Sequence, residues 1–122
     1  MHLLHRLILS LSALFLAGCA SAPLKPEYTW LGYDLTARSD KPDHSKVLLF
    51  NSSNRFLYPT DLTARINIWI DGKAVGTCSI GEYVQVLVPK GERTLRLMHW
   101  DLVEFSSEHP LTLKSDETIV EV

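Results

Sequence analysis

Alternating apolar and polar residues predict β-strands in the chain after Ser45. In residues 62–71 the apolar side chains share one parity and the polar ones the other, with only Trp69 interrupting the polar set. The apolar positions are Leu62, Ala64, Ile66, Ile68 and Ile70. Because side chains alternate between the two faces of a strand, this pattern predicts one buried and one solvated face. The dipeptide Asp71-Gly72 favours a type I′ turn, so residues 73–79 are predicted to return antiparallel.

Further short apolar runs extend this pattern to the last residue. They occupy 46–51, 82–88, 92–100, 111–113 and 118–122. The unbroken apolar run at 47–50, within the segment 46–51, predicts a central strand covered on both faces. The segment 82–88 places Gln85 on the face opposite to Val84 and Val86. Turns are predicted at 89–91 and at Ser115-Asp116. Six or seven short strands without helical periodicity indicate an all-β domain, a small antiparallel sandwich or barrel.

The first 18 residues have the layout of a signal peptide. A weakly cationic start containing Arg6 precedes an apolar run at 7–15, and small residues follow. This run is too short to cross a bilayer core of roughly 30 Å as a helix, which argues against a permanent transmembrane anchor. Residues 16–19, Leu-Ala-Gly-Cys, resemble the lipobox of bacterial lipoproteins. The resemblance implies a diacylglycerol on the Cys19 thiol and cleavage just before that residue.

The lipobox resemblance also implies a location in the cell. Ala20 follows Cys19, whereas an aspartate there favours retention at the inner membrane in the sorting rule of bacterial lipoproteins. The expected location is therefore the periplasmic face of the outer membrane in a Gram-negative host. At roughly 0.8 kcal/mol per buried methylene, two or three acyl chains such as palmitate on Cys19 would hold the protein stably. The alternative is cleavage by an ordinary signal peptidase, with Cys19 only near the junction.

The chain has 122 residues, which leaves room for one domain. We predict a leader at 1–18, a lipid-anchored tether at 19–45 and a β-sandwich domain at 46–122. Fully extended, the tether would reach on the order of 80 to 90 Å at roughly 3.3 Å per residue. Its large apolar residues are Tyr28, Trp30, Leu31, Tyr33 and Leu35. So much apolar surface predicts that 28–35 pack on the domain, with partner binding as the alternative.

Charge and cysteine content exclude some function classes. The formal net charge is −2, and loss of Arg6 with the leader makes it −3, so no nucleic-acid partner is expected. With Cys19 carrying lipid, Cys78 has no disulfide partner. It lacks a basic neighbour, so a small buried side chain is favoured over a reactive thiol.

One group of ionisable residues is a candidate catalytic or metal site. It consists of His99, Asp101, Glu104 and His109, with Asp43 and His44 in the tether. His99 and Asp101 would share a face of a strand, but the spacing matches no known ligand pattern. Serines 106 and 107 lie near His109 only in sequence, and the glycines are scattered singly. We therefore predict no catalytic residue, no metal and no cofactor.

A second resemblance concerns the domain. Residues 68–76 (IWIDGKAVG), 81–83 (GEY) and 88–95 (VPKGERTL) resemble the core of a bacterial lipoprotein family built on domain of unknown function 2846. The similarity covers roughly residues 46–122. It implies a transthyretin-like or immunoglobulin-like sandwich and no established activity.

The favoured function is a lipid-anchored structural or protein-interaction module of the cell envelope, with an unidentified envelope protein as partner. The alternatives are an accessory lipoprotein of a secretion apparatus, and a small envelope enzyme or ligand-binding lipoprotein. Fold alone does not decide among them.

Overall fold

The computed structural model describes residues 23–53, 65–100 and 104–122, and this part of the chain is all β with no helix. Its eight strands are β1 (Thr29–Trp30), β2 (His44–Phe50), β3 (Ile66–Ile70), β4 (Lys73–Cys78), β5 (Tyr83–Pro89), β6 (Gly91–Trp100), β7 (Glu104–Leu113) and β8 (Glu117–Glu121). The predicted strand that begins at Leu62 lies partly outside the described residues, because Leu62 and Ala64 are not among them. Asp101 is not among them either.

The strands form two four-stranded sheets, which confirms the predicted small β-sandwich. Sheet A has the order β1-β5-β2-β8, and sheet B has the order β4-β3-β6-β7. As predicted, β2 is central in its sheet. One pair departs from the antiparallel expectation, since β8 runs parallel to β2 from Lys46↔Glu117 to Phe50↔Glu121. The predicted turn at 115–116 carries the chain from sheet B to sheet A, so β7 and β8 do not form a hairpin.

The core lies between the two sheets and consists of aliphatic side chains. It is built from Val47, Leu49, Ile66, Ile68, Ile70, Val75, Cys78, Val84, Val86, Val88, Leu95 and Leu113. The alternation predicted for β3 is confirmed, because its three isoleucines are buried while Asn67 and Trp69 are only half-buried on the outer face. Trp69 is covered by the Arg96 guanidinium, 4.9 Å from the ring centroid.

The turn between β3 and β4 has the predicted conformation. Asp71 and Gly72 both have positive φ, at 50° and 77°, as a type I′ turn requires. The Asp71 carboxylate accepts hydrogen bonds from the Thr94 amide at 2.8 Å and from Arg93 Nη1 at 3.1 Å. These contacts, the amide bond first, lower the pKa of Asp71. The turn is thereby fixed to β6 as well as to its own hairpin.

Gly72→Val should lower the free energy of unfolding by about 1 to 3 kcal/mol, because a β-branched residue at positive φ is strained. A Cβ at this position would meet no atom within 4 Å, so backbone strain alone is tested. Gly72→Asn is the control and should cost less than about 1 kcal/mol, since asparagine tolerates this conformation. Urea melts measure both variants, and an unchanged midpoint for the valine variant would contradict the prediction.

Strand β7 is much longer than predicted. The sequence indicated a strand only at 111–113, whereas β7 pairs with β6 over ten residues, from Gly91↔Leu113 to Trp100↔Glu104. The side chains from Ser106 to Pro110 are all exposed on this outermost strand of sheet B. Apolar alternation cannot reveal such a strand, because its backbone pairs with β6 whatever its side chains are.

The described residues form no helix long and apolar enough to cross a bilayer.

Candidate functional site

Residues 24–37 form a segment that we call the N-terminal strap, which runs along the sandwich. Its first contact is the Leu24 amide, which donates to Thr77 Oγ1 of β4 at 2.9 Å. The Glu27 amide then donates to the Ala74 carbonyl at 2.8 Å, and the Leu31 amide donates to the Gln85 carbonyl at 2.8 Å. The strap therefore follows the edge of sheet B and passes to sheet A within a few residues.

Two buried polar side chains hold the second half of the strap against the outer face of sheet A. Lys46 is only 3% exposed, and its ammonium donates to the carbonyls of Leu35 and Ala37 at 2.8 Å each. Gln85 is fully buried, and its Nε2 donates to the carbonyls of Gly32 at 3.2 Å and Asp34 at 3.0 Å. Sequence patterns gave no sign of either role, since both residues read as isolated polar positions in apolar runs.

Tyr28 fixes the strap near the β3–β4 turn. Its hydroxyl donates to the Ile70 carbonyl at 2.8 Å, and the ring packs against the core with the Lys73 ammonium 5.7 Å from its centroid. Burial, followed by the nearby Asp71 carboxylate, raises the pKa of this phenol. Part of the apolar surface of 28–35 is therefore internal.

The rest of that surface forms an exposed aromatic patch, which we define as Trp30, Tyr33 and Tyr83. Trp30 is 50% and Tyr33 69% exposed. The Trp30 and Tyr33 rings meet edge to face with centroids 5.5 Å apart, and Tyr33 meets Tyr83 in the same way at 5.9 Å. The Tyr83 hydroxyl also donates to the Tyr33 carbonyl at 2.6 Å, so the fold holds the patch in place.

A cavity of about 220 Å³ opens beside the aromatic patch. Its remaining lining residues are Pro26, Gly76, Thr77, Glu82 and Val84. It lies at the edge of the sandwich and is lined by residues of β1, β4 and β5. Gly76, with φ at 154°, is part of this wall, and a Cβ there would lie 3.5 Å from Val84 Cγ2. The lining is mostly apolar, with one carboxylate and no lysine or arginine.

The ionisable group singled out in the sequence is not brought together as far as the structure describes it. Asp101 lies outside the described residues, and Glu104 begins β7. His99 pairs with Phe105 while His109 pairs with Leu95, so the two histidines lie four positions apart along β6, or about 13 Å. Within residues 23–53, 65–100 and 104–122, no three His, Cys, Asp or Glu side chains form a group that could hold a metal ion.

Two smaller polar pairs remain. Asp43 accepts a hydrogen bond from His44 Nδ1 at 2.8 Å at the start of β2, and this bond lowers the pKa of the exposed carboxyl. A hydrogen bond of 3.0 Å joins His109 Nε2 to Ser107 Oγ, both exposed on β7. Among the described side chains, no carboxylate is hydrogen-bonded to the other nitrogen of His109, where a catalytic triad places the group that orients the ring.

Cys78 is 1% exposed at the end of β4, and burial, followed by the Glu82 carboxylate, raises the pKa of its thiol to about 12. Cys19 lies outside the described residues.

In a folded Cys19→Ala chain, we expect a disulfide reagent at pH 8 to modify Cys78 at least about a hundredfold more slowly than in the same chain unfolded in urea. The reason is that the thiolate is the reactive form of cysteine. Equal rates in the folded and unfolded chain would contradict this.

No protein-family model, no curated protein and no solved structure matches the chain. The fold and the patch define it as a small all-β sandwich with a strap folded onto its outer surface. The resemblances to bacterial lipoproteins and to domain of unknown function 2846 stay predictions.

Proposed function

We propose that the chain is a lipid-anchored lipoprotein of the bacterial cell envelope, held through Cys19 on the periplasmic face of the outer membrane. Its sandwich acts there as a structural or protein-interaction module. The observation that carries this proposal is the order of the first 19 residues: a short apolar run, then Leu16-Ala17-Gly18-Cys19.

The structure supports this proposal in two ways. The other cysteine, Cys78, is buried in the core, so its thiol is not exposed as an acyl acceptor in the folded domain. The separation of His99 from His109 argues against a site that uses both histidines, since a working site needs convergent groups.

Cys19→Ala should abolish acylation and leave the protein as an unprocessed precursor or a soluble periplasmic form, because the thiol is the acyl acceptor. Metabolic labelling with a radioactive fatty acid, followed by membrane fractionation, measures this. Cys78→Ala is the matched control and should still be labelled and sediment with membranes. If the Cys19 variant keeps its label and stays with membranes after a carbonate wash, the proposal is wrong.

A further inference from the structure

The N-terminal end of the strap, a junction at which Leu24 is hydrogen-bonded to the sandwich, adjoins the aromatic patch. Leu24 is bound to Thr77, and Thr77 lines the same cavity as Trp30, Tyr33 and Tyr83. Pro26, two residues further along the strap, lines it too. The described N-terminal end of the strap therefore lies on the side of the domain that carries the patch.

The chain between Cys19 and this junction is short. Five residue steps separate Cys19 from Leu24, which span at most about 18 Å when fully extended. An acylated Cys19 would lie at the level of the lipid headgroups, so Leu24, which is hydrogen-bonded to Thr77 beside the patch, would stay within about 18 Å of them. This reach is far below the fully extended length of the predicted tether at 19–45, because the strap is bound to the sheets.

The chemistry of the patch suits that position. Trp30 and Tyr33 are half-exposed or more, and amphipathic aromatic rings concentrate where the bilayer meets water. The cavity lining carries the carboxylate of Glu82 and no cationic side chain, so attraction to anionic lipids is not expected. The patch and the cavity beside it suit a zwitterionic membrane surface, because the ammonium groups of such lipids are attracted to aromatic faces and to a carboxylate.

We propose that the aromatic patch contacts the membrane. Its rings would lie against the zwitterionic headgroups of the same bilayer that holds the acyl chains. This inference rests on the proposed attachment through Cys19. The contact and the acyl chains together would orient the sandwich, with the β1–β4 edge towards the lipid and the β7 edge of sheet B available to other partners.

The test uses the full, acylated chain reconstituted in phosphatidylcholine vesicles, with and without bromine-labelled phosphatidylcholine as quencher. A Trp69→Phe/Trp100→Phe chain retains only Trp30, whose fluorescence should fall at least about twofold if the ring lies at the interface. The matched control, Trp30→Phe/Trp100→Phe, retains only Trp69, which stacks on Arg96 on the outer face of sheet B and should be quenched much less. Partial replacement by phosphatidylglycerol should not increase the quenching of Trp30.

The outcomes separate the two proposals. If the protein is acylated and floats with the vesicles but Trp30 is quenched no more than Trp69, the membrane contact is wrong and the anchor stands. If the protein carries no acyl chains and does not float, both fail. If quenching rises with phosphatidylglycerol, the zwitterionic preference is wrong. Shielding of Trp30 from acrylamide in detergent that disappears on dilution would assign the patch to a second copy of the chain and overturn the membrane contact.

Discussion

Lys46→Ala should lower the free energy of unfolding by about 2 to 3 kcal/mol, because two charge-assisted hydrogen bonds to the strap are lost. The ammonium is almost completely buried, and its partners are the Leu35 and Ala37 carbonyls, with Glu117 Oε1 3.7 Å away. Removing the lysine leaves the carbonyls without this donor and opens space under the strap. Urea denaturation measures the loss.

The structural loosening caused by Lys46→Ala should be greatest in the strap. Hydrogen exchange at the Leu31 amide, which donates to the Gln85 carbonyl, should speed up more than exchange at amides of β3. Lys90→Ala is the matched control, since Lys90 forms an exposed ion pair with Asp116 at 2.7 Å and should cost less than about 1 kcal/mol. Equal effects of the two lysine variants would show that Lys46 does not secure the strap.

Ile68→Ala should lower the free energy of unfolding by about 2 to 5 kcal/mol, because it leaves a cavity in the middle of the core. Ile68 is fully buried on β3, which lies between β4 and β6 in sheet B. Ile119→Ala on the outermost strand of sheet A is the control, and it should change stability by no more than about 0.5 kcal/mol since that side chain is 69% exposed. Urea midpoints of the two variants that move by the same amount would contradict the assignment of the core.

The parts of the fold that the sequence predicts correctly are those encoded by neighbouring residues. The alternation of Ile66, Ile68 and Ile70 specifies which face of β3 is buried, and Asp71-Gly72 specifies the turn that follows. Both signals act within a few residues and need no knowledge of partners elsewhere. The parallel pairing of β8 with β2 depends on contacts between distant segments, which no local pattern encodes.

The same distinction applies to the site. The aromatic content of 28–35 indicated packing or binding, and the structure divides these residues between a buried Tyr28 contact and an exposed patch. That Lys46 and Gln85 would bind the strap could not be predicted, because their partners are backbone carbonyls from another segment. The separation of His99 from His109 follows from the register of the β6–β7 hairpin, which their spacing in the sequence does not fix.

The pairing of β2 with β8 has a consequence for the order in which the chain folds. Ser45 and Thr118 are 73 positions apart, yet their hydroxyls lie 3.2 Å from each other. Pairing across such a separation is slow to form, because a long loop must close before any contact repays the lost entropy. Sheet A cannot be completed until residues 117–121 are available, so a nascent chain lacking them keeps one side of β2 unpaired. We expect the sandwich to reach its native strand pairing only after residues 117–121 have been made.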